Sequence, residues 1–345
     1  MEYISNLFEY FSSNLLDATA WILIAAVLGI LALLMLAGQY LKRQPESKFD
    51  PAIVGKFNQR LYFWFMICVL LAVALFLGPI PTVILFGLLS FWALREFITM
   101  TPTRLGDHRT LFWVFVGFTP IQYILVAMNQ YALFTVIIPV YASLFIPARI
   151  AFTGDRERFL ERTAKIQFGL LICVYALSHA AALLNLNLMK WDPIQNKMIP
   201  WNGVQAGLLL FFMIIVQVSD ALHFVWDRLF GKHLIASEVN ETKTWEGLIG
   251  AALCSALLGS LLQLLPQITP FTWYGAAFMA LVISVMASSG SMTMSAIKRD
   301  RGVKDYGSLV QGHAGILDRI DSICFAAPIF FHLTRYFLTA NPIVP

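Results

Sequence analysis

Charged side chains are scarce in this 345-residue chain: Asp, Glu, Lys and Arg make up 13% of it, against 59% hydrophobic residues. That balance, with a mean hydropathy of +0.71, excludes a soluble globular domain. Cysteine is scarce too. Cys68, Cys173, Cys254 and Cys324 lie in or beside four different apolar segments without paired spacing, which argues against a disulfide framework or thiolate metal site and leaves helix packing. No basic run interleaved with aromatics occurs outside the loops. The formal net charge of +4 therefore gives no reason to expect a nucleic-acid partner. Internal repeats and low-complexity tracts are missing as well. The first residues lack a basic leader and carry Glu2, Glu9 and Asp17, so they are expected to enter a true first span rather than a cleaved signal.

What the chain has in abundance is long apolar runs. A membrane-crossing helix needs about 20 such residues, and ten candidates lie near 18–39, 61–78, 80–97, 111–128, 131–148, 166–186, 204–224, 247–265, 271–290 and 320–339. Between the second and third stands only Gly78-Pro79-Ile80-Pro81, a tight turn. With the N-terminus outside, the inward loops fall near 40–60, 95–110, 149–165, 225–246 and 291–319, and they hold 21 of the 24 Lys and Arg residues. The others are Lys190, Lys197 and Arg335. Basic residues favour the cytoplasmic side, so run length and charge placement agree on one expectation. It is an all-α, polytopic integral membrane helical bundle of about ten transmembrane helices with both termini on the outer side. Residues 1–200 would supply about six spans, and 201–345 a C-terminal domain that holds the chemistry.

Charge gathers in the last inward loop, Ser295 to Asp321. Ser295, Lys298 and Arg299 share one helix face by their spacing. Gly302, Gly307, Gly312 and Gly315 allow tight turns and close backbone approach, which suits phosphates. Asp318 and Asp321, three apart at the start of the last span, could share a hard cation such as Mg²⁺. A topogenic loop with solvated charges would explain the cations. It does not explain carboxylates alternating with them beside an apolar helix. Upstream, Asp220 lies inside the seventh apolar run, where a carboxylate is costly and a functional candidate by default. Lys243 and Glu246 follow as i, i+3 neighbours that can pair or face a substrate. The sequon Asn240-Glu241-Thr242 falls on the expected cytoplasmic side and reads as unused. His179, the other polar group inside a span, reads as packing or an interhelical hydrogen bond.

These two stretches resemble the phosphatidate cytidylyltransferase (CDP-diacylglycerol synthase) family, and the sequence is identified as a divergent member. The signature S-x-x-K-R-x-x-x-x-K-D-x-G, then H-G-G, then D-R-x-D is matched by Ser295, Lys298, Arg299, Lys304, Asp305, Gly307, His313, Gly315, Asp318, Arg319 and Asp321. The upstream element is matched by Asp220, Phe230-Gly231-Lys232 and Lys243-Thr244-Trp245-Glu246-Gly247. The sequence departs in three places: Ser291 stands where the family has a metal-binding Asp, Ala314 interrupts H-G-G, and Asn240-Glu241 replaces S-P.

The resemblance implies transfer of CMP from CTP to phosphatidate, giving CDP-diacylglycerol and pyrophosphate, at the cytoplasmic face of a multi-pass membrane protein. In a bacterium that would be the inner membrane. It implies Asp318, Lys298, Arg299, Lys304, Asp305, Arg319 and His313 in catalysis. Asp220, Lys243, Glu246, Ser295, Gly312 and Gly315 would bind substrate, and Asp318, Asp321 and Asp220 would hold Mg²⁺. CTP, phosphatidate and the lipid bilayer are the expected partners, with a homodimer among the arrangements considered. A CTP-dependent lipid kinase, a cytidylyltransferase for another anionic lipid, and a non-catalytic membrane partner derived from the enzyme stay open. A transporter is disfavoured, because no pair of broken spans carries polar residues at mid-membrane.

Overall fold

The computed structural model describes residues 18–42, 51–100, 103–192, 196–203, 205–265, 268–302 and 315–339. The chain is an all-α polytopic membrane protein. Among the described residues, helical segments stand at each of the ten apolar runs: α1 (Ala18–Lys42), α2 (Pro51–Leu77), α3 (Pro79–Met100), α4 (Leu105–Ala127), α5 (Tyr131–Ala151), α6 (Phe159–Asn185), α7 (Gln205–Phe230), α8 (Trp245–Leu262), α9 (Trp273–Asp300) and α10 (Leu317–Leu338). Among the described residues, eight of these are long and apolar enough to cross a membrane. In α2 the apolar stretch among the described residues is Trp64–Leu77. The other helix outside the eight, α10, carries Asp318, Arg319, Asp321 and Arg335. Two short antiparallel hairpins complete the elements, β1 (Met189–Asp192) with β2 (Lys197–Pro200) and β3 (Leu234–Ala236) with β4 (Asn240–Thr244).

Two compact units divide the chain between Leu85 and Phe86, whereas the boundary at residue 200 follows the motifs. In the first unit α1 and α2 pack together, with Trp21 meeting Phe76 edge-on at 5.8 Å and Leu23, Leu31, Leu71 and Leu75 buried. The α2–α3 break is the expected tight turn. Gly78 takes a φ of 116°, open mainly to glycine, and its carbonyl accepts from the Thr82 hydroxyl at 2.9 Å.

The second unit is centred on α7, α9 and α10. Phe211, Phe212 and Phe330 are fully buried, and the rings of Phe212 and Phe330 stack at 5.3 Å, a large apolar payload. Small residues set the helix spacings. A Cβ on Gly259 of α8 would lie 2.6 Å from that of Ala280 on α9, and one on Gly290 of α9 would lie 2.7 Å from the Asp321 carbonyl of α10. Close backbone approach of this kind is how membrane helices gain packing without a hydrophobic driving force between them. Paired polar groups join α7 to α9: Ser219 to Ser284 at 2.5 Å and His223 to Ser288 at 2.9 Å. Both pairs step by four residues, so each lies one helical turn from the other. At the start of α6, Arg162 is buried between Asp107 at 3.1 Å and Asp155 at 2.8 Å, which ties the α5–α6 connection to the start of α4.

Candidate active site

Five segments meet where α9 ends and α10 begins. Lys298, in the last turn of α9, reaches the Asp318 carboxylate in the first turn of α10 at 2.8 Å. Both side chains are largely buried, so the pair is stronger than a surface bridge of equal length. The charges also suit the helix ends, a cation at a C-terminus and an anion at an N-terminus. Asp321, one turn further along α10, is buried and accepts from the Ser322 N–H at 2.8 Å. Asp220, Asp318 and Lys298 all lie within electrostatic range of it. The three carboxylates singled out from sequence and the first cation of the signature are thus brought together.

A contributor from far upstream completes the α10 end. Glu96 of α3 accepts from the N–H groups of Ile316 at 3.0 Å and Leu317 at 2.9 Å. The first amides of a helix have no partner inside it, and this carboxylate satisfies them. Buried Gly315 immediately precedes the capped turn.

The β3–β4 hairpin closes the other side. Asn240 Nδ2 donates to Ser295 Oγ at 3.2 Å, and Ser295 Oγ donates back to the Ser291 carbonyl at 2.8 Å. The Thr244 N–H and hydroxyl donate to Asp227 Oδ1 at 2.9 and 2.7 Å, fastening the start of α8 to α7. Lys243 Nζ donates to His223 Nδ1 at 3.4 Å.

Lys243 and Glu246, expected either to pair or to face a substrate, are not paired with each other. The Glu246 carboxylate accepts from the N–H groups of Lys232 and His233 at 3.3 and 3.2 Å and meets the His233 ring at 2.5 Å, so it anchors the loop after α7. Arg299 stands 3.9 Å from Glu241. The Arg319 N–H closes the turn at the start of α10 on the Ile316 carbonyl at 2.9 Å. Lys304, Asp305, Gly312 and His313 lie outside the described residues.

Sequence reasoning missed Glu96, His223 and Asp227. The last two carried a signal: with Asp220 they stand at i, i+3 and i+7, one face of a helix. Glu96 carried none beyond being a carboxylate near the end of an apolar run.

Among the described residues no group of three or more His, Cys, Asp or Glu is arranged to hold a metal ion. The donor chemistry nevertheless fits Mg²⁺ in its usual mode, in which one or two protein carboxylates are completed by water and substrate phosphates. Asp318 and Asp321 would be such donors, with Asp220 within electrostatic range of Asp321.

A family model described as "Cytidylyltransferase family" matches residues 58–337. A protein of Escherichia coli (strain K12) described as "Uncharacterized protein YnbB" is 33% identical over 316 residues, which is 91% of this chain and 97% of that one. A phosphatidate cytidylyltransferase of Staphylococcus epidermidis is 36% identical over 121 residues, 35% of this chain and 46% of the relative. One from Haemophilus influenzae is 34% identical over 145 residues, 40% of this chain and 49% of the relative. The chain spans about half the length of the curated relatives that carry that name.

Proposed function

The chain belongs to the cytidylyltransferase family, and from that premise we propose that it transfers CMP from CTP to phosphatidate, giving CDP-diacylglycerol and pyrophosphate. The observation that carries the reading is the meeting of Lys298 with Asp318 beside Asp321 at one end of the bundle. The signature's Lys298 and Asp318 are in contact there, and both act electrostatically on Asp321. A lipid phosphate oxygen would attack the α-phosphorus of CTP, and the bond to the pyrophosphate oxygen would break as the new P–O bond forms.

A phosphate monoester dianion is already a competent nucleophile. The protein's task is to bring two anions together in line and to offset charge on the departing pyrophosphate. Lys243, Lys298 and Arg299 supply cations that can orient phosphates, and Arg is suited to bidentate contact. Lys304, Asp305, Arg319 and His313 enter by resemblance, as do Gly312 and Gly315 against the phosphates. Asp318 and Asp321, with Asp220, would hold Mg²⁺, which when bound neutralises charge on the triphosphate. A site at the cytoplasmic face of an inner membrane would let a soluble nucleotide meet a bilayer lipid.

Purified protein given CTP, phosphatidate and Mg²⁺ should release pyrophosphate and move α-phosphate label from CTP into lipid. Label entering only from the γ-phosphate would replace the reading with a CTP-dependent lipid kinase, and turnover with another acidic lipid alone would change the substrate. Ser291 favours a second reading, a non-catalytic membrane partner, because a hydroxyl is a weaker ligand than a carboxylate for a hard cation. Absence of any CTP-dependent transfer would favour that reading.

A further inference from the structure

We propose that His223 is a positioning residue that aims the Lys243 ammonium at a substrate phosphate, an inference that rests on the nucleotidyl-transfer reading above. His223 is 1% exposed and lies one turn beyond Asp220 on α7. Its Nδ1 faces two groups, Ser288 Oγ at 2.9 Å and Lys243 Nζ at 3.4 Å. An ammonium can only donate. Nδ1 is therefore bare, its single lone pair shared between the Ser288 hydroxyl and the ammonium, and the ring proton sits on Nε2, which stands 3.6 Å from Asp227 Oδ1, beyond hydrogen-bond distance. At that distance the carboxylate favours a proton on Nε2 through its charge and not through a hydrogen bond.

Asp227 performs two tasks at once. The oxygen that faces the His223 ring also takes both hydrogen bonds from Thr244, the residue after Lys243. The Lys243 backbone is thus fastened to α7 by its neighbour while its head group is held by His223. Gly247 makes room for this, because a Cβ there would collide with Asp227 and with His223 Cδ2.

The electrostatics give the arrangement a purpose. Lys298 is neutralised by Asp318, Arg299 stands near Glu241 and Arg301 near Glu161. Among the described residues Lys243 has no carboxylate within ion-pair distance, and its partner is a neutral ring. A neutral acceptor orients an ammonium without cancelling its charge, so the field at Nζ stays available to an anion. A structural lysine gains more from a carboxylate. The anion is a phosphate, borne by either the nucleotide or the lipid.

Michaelis constants for CTP and for phosphatidate, each with its kcat, should be measured on the full chain in nanodiscs. His223→Phe keeps ring volume and removes the acceptor. It should raise the KM of one phosphate substrate about tenfold with kcat within about twofold, as expected for loss of one charge-assisted contact. The substrate whose KM moves identifies the source of the phosphate. His223→Asn, whose Oδ1 falls near the Nδ1 position, should recover most of the loss. Lys243→Gln should raise the same KM, which keeps the test available if the Phe variant does not insert. Unchanged KM in all three variants, or a fall in kcat alone, overturns the proposal.

If the wild-type protein shows no turnover, the functional reading fails and a second readout applies. Acylation of Lys243, followed by mass spectrometry, should be suppressed by inorganic pyrophosphate in the wild type and not in His223→Phe. Equal labelling with and without pyrophosphate in the wild type overturns the proposal on its own terms.

Discussion

Glu96 and Leu317 are 221 positions apart, yet the carboxylate of one accepts from the backbone amide of the other at 2.9 Å. The same carboxylate takes the Ile316 amide, so α3 holds the turn from which Asp318 projects. Glu96→Ala should lower stability by about 1 kcal/mol, the usual cost of a lost N-cap, and Glu96→Gln, which keeps one acceptor, by less. Both should reduce transfer more than stability alone explains, because the α10 turn carries the site. Thermal unfolding in detergent and pyrophosphate release check the two parts. An Ala variant with wild-type activity would remove Glu96 from the site.

Lys298 and Asp318 make a separable test. Removing one partner of a largely buried ion pair strands the other charge and costs roughly 3–5 kcal/mol, whereas replacing both by apolar groups is often neutral. Asp318→Leu and Lys298→Met should each destabilise the protein, and the double variant should regain most of the lost stability. Activity should not return. Recovery of both in the double variant would mean that the pair only holds α9 against α10. Asp318→Asn, the smaller change, should abolish transfer.

How legible this was in the sequence depends on the range of each contact. Helices at the apolar runs follow from run length, and Lys298 with Asp318 follows from a dense loop in which both ends were visible. Asp220 stood out because a carboxylate in an apolar run is expensive. The Glu96 cap was not legible, since nothing local distinguishes a carboxylate that caps a distant helix from one that meets water. Glu246 was legible as a helix-start residue but not in its direction. Spacing allowed a pair with Lys243, and the backbone amides of Lys232 and His233 offered the better partners. The count of spans turns on helices such as α10, which is of sufficient length but whose apolarity is lowered by Asp318, Arg319, Asp321 and Arg335.

Gly290 sets how closely α9 and α10 approach. A methyl group there would stand 2.7 Å from the Asp321 carbonyl and 2.9 Å from the Phe325 Cβ, and backbone cannot yield as a flexible side chain can. Gly290→Ala should cost about 1–3 kcal/mol by overpacking, and activity should fall as Asp321 moves away. Gly302→Ala, in open space but at a φ of 68°, should cost about 1 kcal/mol through backbone strain alone. Thermal unfolding of the two variants, with activity measured beside it, separates packing from strain.

The Asp155 cluster predicts an acid limb. The Glu157 N–H, at 3.0 Å, holds the Asp155 carboxyl below the ordinary carboxylate range, with Arg104 and Arg162 acting in the same direction. A carboxyl whose pKa is lowered by folding stabilises the folded state above its unfolded value, about 3.9, and that contribution disappears as pH falls through the lowered value. Stability should therefore decline below about pH 4, and Asp155→Asn should flatten the decline while lowering stability at neutral pH. A pH series of unfolding temperatures for both proteins provides the check. Parallel curves would assign the acid limb to other carboxylates.

Ser291 follows Gly290, where α9 comes close to the Asp321 carbonyl of α10, and Asp220 and Asp318 repel the Asp321 carboxylate nearby. Placing a carboxylate there has opposite consequences with and without a divalent cation. Without one, a fourth negative charge adds repulsion in a partly buried setting, so Ser291→Asp should unfold at lower temperature than wild type in chelator. With Mg²⁺, the added oxygen ligands favour the cation-bound folded state, and binding to the folded form alone raises stability in proportion to the logarithm of cation concentration. The variant should therefore show a larger Mg²⁺-dependent rise in unfolding temperature than wild type, with activity unchanged or increased. An equal Mg²⁺ response in the two proteins would mean that position 291 does not face the cation and that Asp318 and Asp321 serve it unaided.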